Sequence, residues 1–148
     1  MTENPLYTYA KSLTPAGNDP PGYLEIFPGI ELYMIGYQGE GSSFHHEELP
    51  DMLQINYCLE GRIGWEMRNG VSIYFGAGDL ALHTMDCCAI SSMSTPLGYY
   101  KAVTLSVDMA RAAKETPALL KEAKIQIPRL IQKLCPQAVC VQGSYPLP

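Results

Sequence analysis

Basic residues are scarce in this 148-residue chain: ten Lys and Arg stand against fifteen Asp and Glu, a formal net charge of -5. Gripping nucleic acid takes clustered cations, because phosphate contacts are made by Lys and Arg. The densest basic run, Lys114, Lys121, Lys124, Arg129 and Lys133, is interleaved with Glu115 and Glu122. That pattern reads as a solvated helical face, so this chain is not expected to hold DNA by itself. Long apolar runs are missing too, and none approaches the length a bilayer span needs. The first residues, Met1 to Pro5, are polar and proline-bearing and show no secretory leader. Cys58, Cys87, Cys88, Cys135 and Cys140 make an odd number with no disulfide framework, and the expected location is the reducing cytoplasm. Cys135 and Cys140 have no second Cys or His pair beside them, so no zinc site is expected there.

Glycine (13) and proline (12) are plentiful and favour short strands and turns over long helices. Residues 1–22 read as an irregular N-terminal segment, punctuated by Pro15, Gly17, Pro20, Pro21 and Gly22. Residues 23–108 read as a β-barrel domain. Its strands are Ile30–Tyr37, Met52–Leu59, Arg62–Met67, Val71–Phe75, Leu80–Thr84, Cys87–Met93 and Tyr99–Val107, and Asn69-Gly70 marks a hairpin. Residues 109–135 read as a helical segment. Asp108 caps a first helix over Met109–Lys114, and Thr116-Pro117 starts a second. Leu119, Leu120, Ala123 and Ile127 give the second helix one apolar face, and Pro128 breaks or restarts it before Leu130, Ile131 and Leu134. Residues 136–148 read as an irregular tail.

Two segments carry the functional reading: His45-His46-Glu47-Glu48 through Glu60-Gly61, and Gly70 through Gly76-Ala77-Gly78-Asp79. Together they resemble the two signature motifs of the cupin superfamily, which implies a mainly β, jelly-roll barrel followed here by two or three short C-terminal helices. Gly61, Gly70 and Gly78 fall on motif glycines. Metal-binding cupins hold a divalent ion with three histidines and a glutamate. Here the glutamate position falls on Gln54, the paired histidines near Glu48 and Pro50, and the last histidine on Ala81. An amide is a weak metal ligand and alanine none, so no metal and no cofactor is expected. A shifted site from His45 or His46 with Glu48 and His83 is the remaining alternative. Otherwise the His-His pair is a polar surface loop and His83 a hydrogen-bonded interior residue.

Leu53 through Arg62, then Tyr74 through Leu80, then Pro96 through Val107 narrow the likeness. They resemble the N-terminal effector domain of AraC-type transcription regulators, in the flavour of the siderophore-responsive branch. The resemblance implies a domain that binds a small-molecule effector and forms a homodimer. DNA contact then belongs to a separate C-terminal domain that this sequence does not contain. If Gln54 faces inward, alternation carries Asn56 and Cys58 with it, and His83 shares the face of Ala81. Gln54, Asn56, Cys58, His83 and Tyr33 are therefore the expected ligand-binding residues, against the alternative of a filled core. Leu119, Leu120, Ile127, Leu130, Ile131 and Leu134 are the expected dimerisation residues, one part of that stripe packing on the barrel. Cys58 lies mid-strand without a basic partner and reads as a structural thiol, as do Cys87 and Cys88. No catalytic residue is expected. The rival readings are a metal-dependent cupin enzyme (a dioxygenase or an isomerase) and an interaction module with a filled barrel.

Overall fold

The computed structural model describes residues 24–67, 70, 72–86, 88–134 and 141–144. The expectations for residues 1–22, Asn69, Val71, Cys87, Cys135 and Cys140 lie outside them. The chain is mainly β, a jelly-roll barrel followed by three short helices. The strands are β1 (Leu24–Phe27), β2 (Ile30–Gln38), β3 (Gly41–His45), β4 (Met52–Met67), β5 (Ser72–Gly76), β6 (Asp79–Thr84), β7 (Ile90–Ser94), β8 (Tyr99–Asp108) and β9 (Val141–Ser144). The helices are α1 (Met109–Lys114), α2 (Ala118–Glu122) and α3 (Ile127–Leu134).

One strand builds both walls. The first half of β4 lies between β8 and β6 in a sheet of order β1-β2-β8-β4-β6-β9. Its second half, Arg62 to Met67, lies between β5 and β7, and β7 also pairs with β3. A register shift between Cys58 and Glu60 marks the crossing, where Gly61 adopts φ +82°. The extra residue changes which parity faces inward. Gln54, Asn56 and Cys58 are buried before it, and Ile63, Trp65 and Met67 after it. The sequence predicts two strands ending and restarting at Glu60-Gly61, whereas the backbone runs through as one bent strand.

The turn that opens β6 explains its glycines. Gly76 N–H donates to Asp79 Oδ2 at 2.9 Å, Gly78 N–H donates to the Cys58 carbonyl at 2.9 Å, and Gly78 adopts φ +88°. A short acidic side chain folding back on the turn backbone fixes the loop that follows β5.

Two apolar clusters result. Inside the barrel lie Ile63, Trp65, Met67, Ile73, Phe75, Met85, Met93, Tyr100 and their neighbours. On the outer face of the first sheet, Ile30, Leu53 and Val107 pack with Ala112, Met109, Leu120 and Ile127 from the helices. Asp108 Oδ1 accepts the Arg111 N–H at 2.9 Å and caps α1 as predicted. Replacing Asp108 with Ala is expected to cost about 1 kcal/mol, the usual worth of such a cap. Urea unfolding followed by the single tryptophan checks it, and no loss would mean that packing of Ala112 alone holds α1.

Three expectations are corrected. The single helix from Thr116 to Ile127 is two helices. Lys124 takes φ 54° and stops α2, and Thr116 instead donates back to the Ala112 and Ala113 carbonyls at the end of α1. Pro128 stands in the first turn of α3, where its missing N–H costs nothing. The tail from Gln137 is not wholly irregular, since Val141–Ser144 forms β9 and pairs with Asp79–Leu82. An unpaired sheet edge offers a row of backbone donors and acceptors to any extended segment that reaches it. Likewise Gly41–His45 is a strand, β3, paired along its whole length with β7.

Candidate functional site

The inner face of the first sheet carries two rows of mostly polar side chains. Register sets Glu31, Ser106, Gln54 and His83 in one row across β2, β8, β4 and β6, with Tyr33, Thr104, Asn56 and Ala81 in the next. All seven polar members are at most 4% exposed. Toward the other end the rows turn apolar, through Ile35, Ala102 and Cys58.

Hydrogen bonds run between the rows. Gln54 Nε2 donates to Tyr33 OH at 2.7 Å and lies 3.4 Å from Ser106 Oγ, and the Tyr33 and Ser106 hydroxyls are 3.1 Å apart. Burial, more than any neighbour, pushes the Tyr33 phenol above its ordinary range, with Glu31 and Cys88 adding to it against the Ser106 bond. The phenol therefore stays protonated, accepting from Gln54 and offering its own proton to Ser106. In the second chain Thr104 Oγ1 donates to Asn56 Oδ1 at 2.7 Å, and Asn56 Nδ2 meets His83 Nε2 at 3.1 Å. An amide whose oxygen is taken by Thr104 turns its N–H to the imidazole. His83 Nε2 thus accepts, and Nδ1 faces the Thr84 carbonyl at 3.3 Å as the ring's donor. The Trp65 ring stands edge-on to His83, with centroids 5.4 Å apart.

The structure brings Tyr33, Gln54, Asn56 and His83 together and joins Thr104, Ser106 and Glu31 to them, three residues the sequence reading did not name. The available signal was the alternation of β8, in which Tyr100, Ala102, Thr104 and Ser106 share one face. Cys58 lies on the same wall beyond the polar rows. Its thiol points to the Glu60 and Gly61 carbonyls at 3.5 and 3.8 Å, and burial raises its pKa to about 11. It is therefore a protonated structural thiol.

The metal set of the cupin superfamily does not fit these residues. Gln54 and Ala81 occupy the inner wall, while Glu48 and Pro50 are exposed in the loop before β4. Among the described residues no group of three His, Cys, Asp or Glu side chains is arranged to hold an ion. The shifted alternative is not assembled as an ion site either: His45 ends exposed on β3, and although His46 lies near enough to His83 for their charges to oppose each other, no group of three ligands forms around them among the described residues.

His46 is more than surface loop. It is half-buried, its Nδ1 lies 2.6 Å from the Glu47 carbonyl, and its Nε2 lies 3.6 Å from Cys88 Sγ. The Cys88 contact, with the Glu47 carbonyl, raises its pKa against the effect of burial.

Of the expected dimerisation residues, Leu120 and Ile127 pack on the barrel, and Leu119 and Leu130 point outward at 61% and 36% exposure. The side chains of Ile131 and Leu134 lie outside the described residues. A groove of about 510 Å³ runs between the helices, lined by Met109, Ala112, Lys121, Lys124 and Ile125 among others. A second, more open one of about 530 Å³ lies at the barrel rim beside Ser43, His45, Glu66 and Ile90. No helix among the described residues is long and apolar enough to cross a membrane.

No protein-family model and no curated protein sequence matches the chain. Solved structures do. ToxT from Vibrio cholerae, crystallised with an unsaturated fatty acid bound, superposes with a TM-score of 0.53 at 11% identity, over 82% of this chain and 43% of ToxT. A conserved double-stranded β-helix protein from Klebsiella pneumoniae gives 0.49 at 10% identity, over 69% of this chain and 84% of that one. The cupin domain of an XRE-family transcriptional regulator from Enterobacter cloacae gives 0.44 at 11% identity, over 57% of this chain and 93% of that one. The likeness is one of fold, the double-stranded β-helix of cupins.

Proposed function

We propose that this chain is the effector-sensing and dimerisation domain of an AraC-type transcription regulator, taking a small organic molecule in a metal-free barrel, and that it is not itself an enzyme. The observation that carries the reading is the pair of polar rows on the inner wall. Burying hydroxyl, amide and imidazole groups costs free energy unless each finds a partner. A barrel that needed only to be filled would be more stable with apolar side chains there. Gln54, Asn56, Tyr33, Thr104, Ser106 and His83 each make hydrogen bonds that an entering ligand can replace one for one. A few polar groups in an apolar cavity are the usual design of a ligand site. The shared fold with ToxT, in which a fatty acid is bound, is compatible with this use of the barrel.

The homodimer rests on the helices. Leu119 and Leu130 project away from the barrel, and a two-fold helix contact is the commonest symmetric interface. DNA contact is assigned to a separate C-terminal domain, in keeping with the acid balance of this chain. The cytoplasm is the proposed location. Against catalysis stands the burial of the groups: Cys88 is the one described thiol beside an imidazole, and it is 0% exposed.

Native mass spectrometry of the purified chain tests the proposal, followed by a melting and Trp65 fluorescence screen against a library of small organic acids and siderophore-like chelates. The expected result is a dimer without stoichiometric iron, manganese or zinc, and a hit whose binding is lost in Gln54→Ala. One tightly held iron, manganese or zinc per chain overturns it in favour of a metal enzyme built around His45, His46 and His83. A monomer with no hit overturns it in favour of an interaction module with a filled barrel.

A further inference from the structure

Near the end of β3 the fold collects two soft sulfur donors and an imidazole that the hydrogen bonds of the polar rows do not use. Cys88 Sγ lies 3.7 Å from Met85 Sδ and 3.6 Å from His46 Nε2. The backbone builds this grouping. Met85 and Cys88 are three residues apart in the turn after β6, closed by Ala89 N–H to the Asp86 carbonyl at 3.3 Å. His46 N–H then donates to the Ala89 carbonyl at 2.9 Å, which ties the end of β3 to that turn. Cys88 and Met85 are both 0% exposed, and half-buried His46 closes the outer side.

We infer that Cys88, Met85 and His46 form a three-coordinate site for a soft monovalent metal ion, Cu(I) in chemical class, where the barrel's apolar cluster, to which Met85 and Cys88 belong, meets the end of β3. Thiolate and thioether sulfur select Cu(I) over hard divalent ions. The spacing suits such an ion. Ligands at about 2.3 Å for sulfur and about 2.0 Å for nitrogen, spread in a trigonal plane, stand about 3.7 to 4.0 Å apart. Cys88 Sγ already stands 3.6 Å from His46 Nε2 and 3.7 Å from Met85 Sδ, two of the three spacings such a plane needs. The imidazole is oriented for the task, because Nδ1 donates to the Glu47 carbonyl at 2.6 Å and so turns the Nε2 lone pair to the thiol. Metal-bound histidines commonly hold their second nitrogen in this way. Zinc is a poorer fit, since a structural zinc site takes four ligands and a thioether is not among its usual donors.

The reaction balances without an electron. Cu(I) replaces the thiol proton of Cys88, which leaves to solvent, while Met85 Sδ and His46 Nε2 each give a lone pair. A bare ion needs only the His46 ring to swing aside, so full burial of the two sulfurs does not bar it as it would bar a bulky substrate.

The experiment is an anaerobic titration of the full chain with Cu(I), in competition with a chromogenic Cu(I) chelator. The variant in which Cys87, Cys135 and Cys140 are replaced by Ser is titrated beside it. Both are expected to take up one ion per chain, and Cys88→Ser to lose it. His46→Gln and Met85→Leu are expected to weaken binding by about 10- to 100-fold, the scale seen when a group supporting a metal site is removed. Met85→Leu keeps apolar volume, so it tests the site even if Cys88→Ser fails to fold. No uptake by the parent chain, uptake lost in the triple variant, or uptake unchanged in Met85→Leu would each overturn the site.

Discussion

A Gly61→Ala chain is expected to lose about 2 to 5 kcal/mol of stability, combining the left-handed backbone cost of about 1 to 2 kcal/mol with an overpacking cost of about 1 to 3. Gly61 adopts φ +82° at the point where β4 leaves one sheet for the other. A Cβ there would overlap the Tyr99 carbonyl oxygen and stand 2.9 Å from the Tyr99 carbonyl carbon and 3.0 Å from Tyr100 Cα. Those atoms are backbone of the paired strand β8, so they cannot rotate away as a flexible side chain can. Gly70 supplies the control. It adopts φ +78° with nothing within 4 Å of its missing Cβ, and Gly70→Ala is expected to cost only about 1 kcal/mol. Urea titrations of both variants, read by Trp65 emission, separate the two contributions. Equal losses would show that left-handed geometry alone explains Gly61, and that the close approach of β4 to β8 does not matter. The larger loss ties one glycine to the site, because the bend it permits sets Gln54 and Asn56 on one wall against Ile63 and Trp65 on the other.

Much of this architecture is legible in the chain. Alternation in Met52–Leu59 predicts that Gln54, Asn56 and Cys58 share a face, and they do. The evenly spaced turn signals predict a β-barrel, and Asp108 marks the start of the helices. What the local pattern hides is physical in origin. A bulge adds one residue and exchanges inside for outside, and nothing in Cys58-Leu59-Glu60-Gly61 says how large the slip will be. Strands β3 and β9 carry too few apolar residues to announce themselves and owe their form to edges that only the folded sheet offers. Lys124 ends α2 in a left-handed conformation that composition assigns to glycine. The Cys88 and His46 contact joins residues 42 apart, and no periodicity reaches across that distance. The polar rows were half visible for the same reason. β4 and β6 could be read from motif positions, whereas the share of Thr104 and Ser106 depended on how β8 registers against β4.

Replacing Asn56 by Leu is expected to cost about 2 to 6 kcal/mol, because it strips two buried groups of a partner at once and each such loss costs about 1 to 3 kcal/mol. Asn56 is the middle of its chain. The Thr104 hydroxyl, 0% exposed, loses its acceptor, and His83 Nε2 loses the amide donor 3.1 Å away. Leucine keeps the branched outline of asparagine but is the larger group, so overpacking at this buried position adds to the loss. Thr104→Val removes the hydroxyl instead and leaves one acceptor, Asn56 Oδ1, unmatched, for an expected loss of about 1 to 2 kcal/mol. The double variant is expected to lose less than the two singles together, since the orphaned hydroxyl is gone, and a coupling of about 1 kcal/mol is of the size that contacting residues show. Thermal and urea unfolding of the four chains of this cycle measure it. Additive losses would mean that Asn56 and Thr104 do not act as a unit. An Asn56→Leu chain as stable as the parent would mean that the amide is retained at the barrel's centre for what enters it rather than for what holds it, the trade of stability for function that binding sites commonly show. The expected loss has its own consequence for the ligand. A molecule that binds against these rows must give Thr104 and His83 hydrogen bonds at least as good as the ones it displaces, which excludes a purely apolar effector from that part of the barrel.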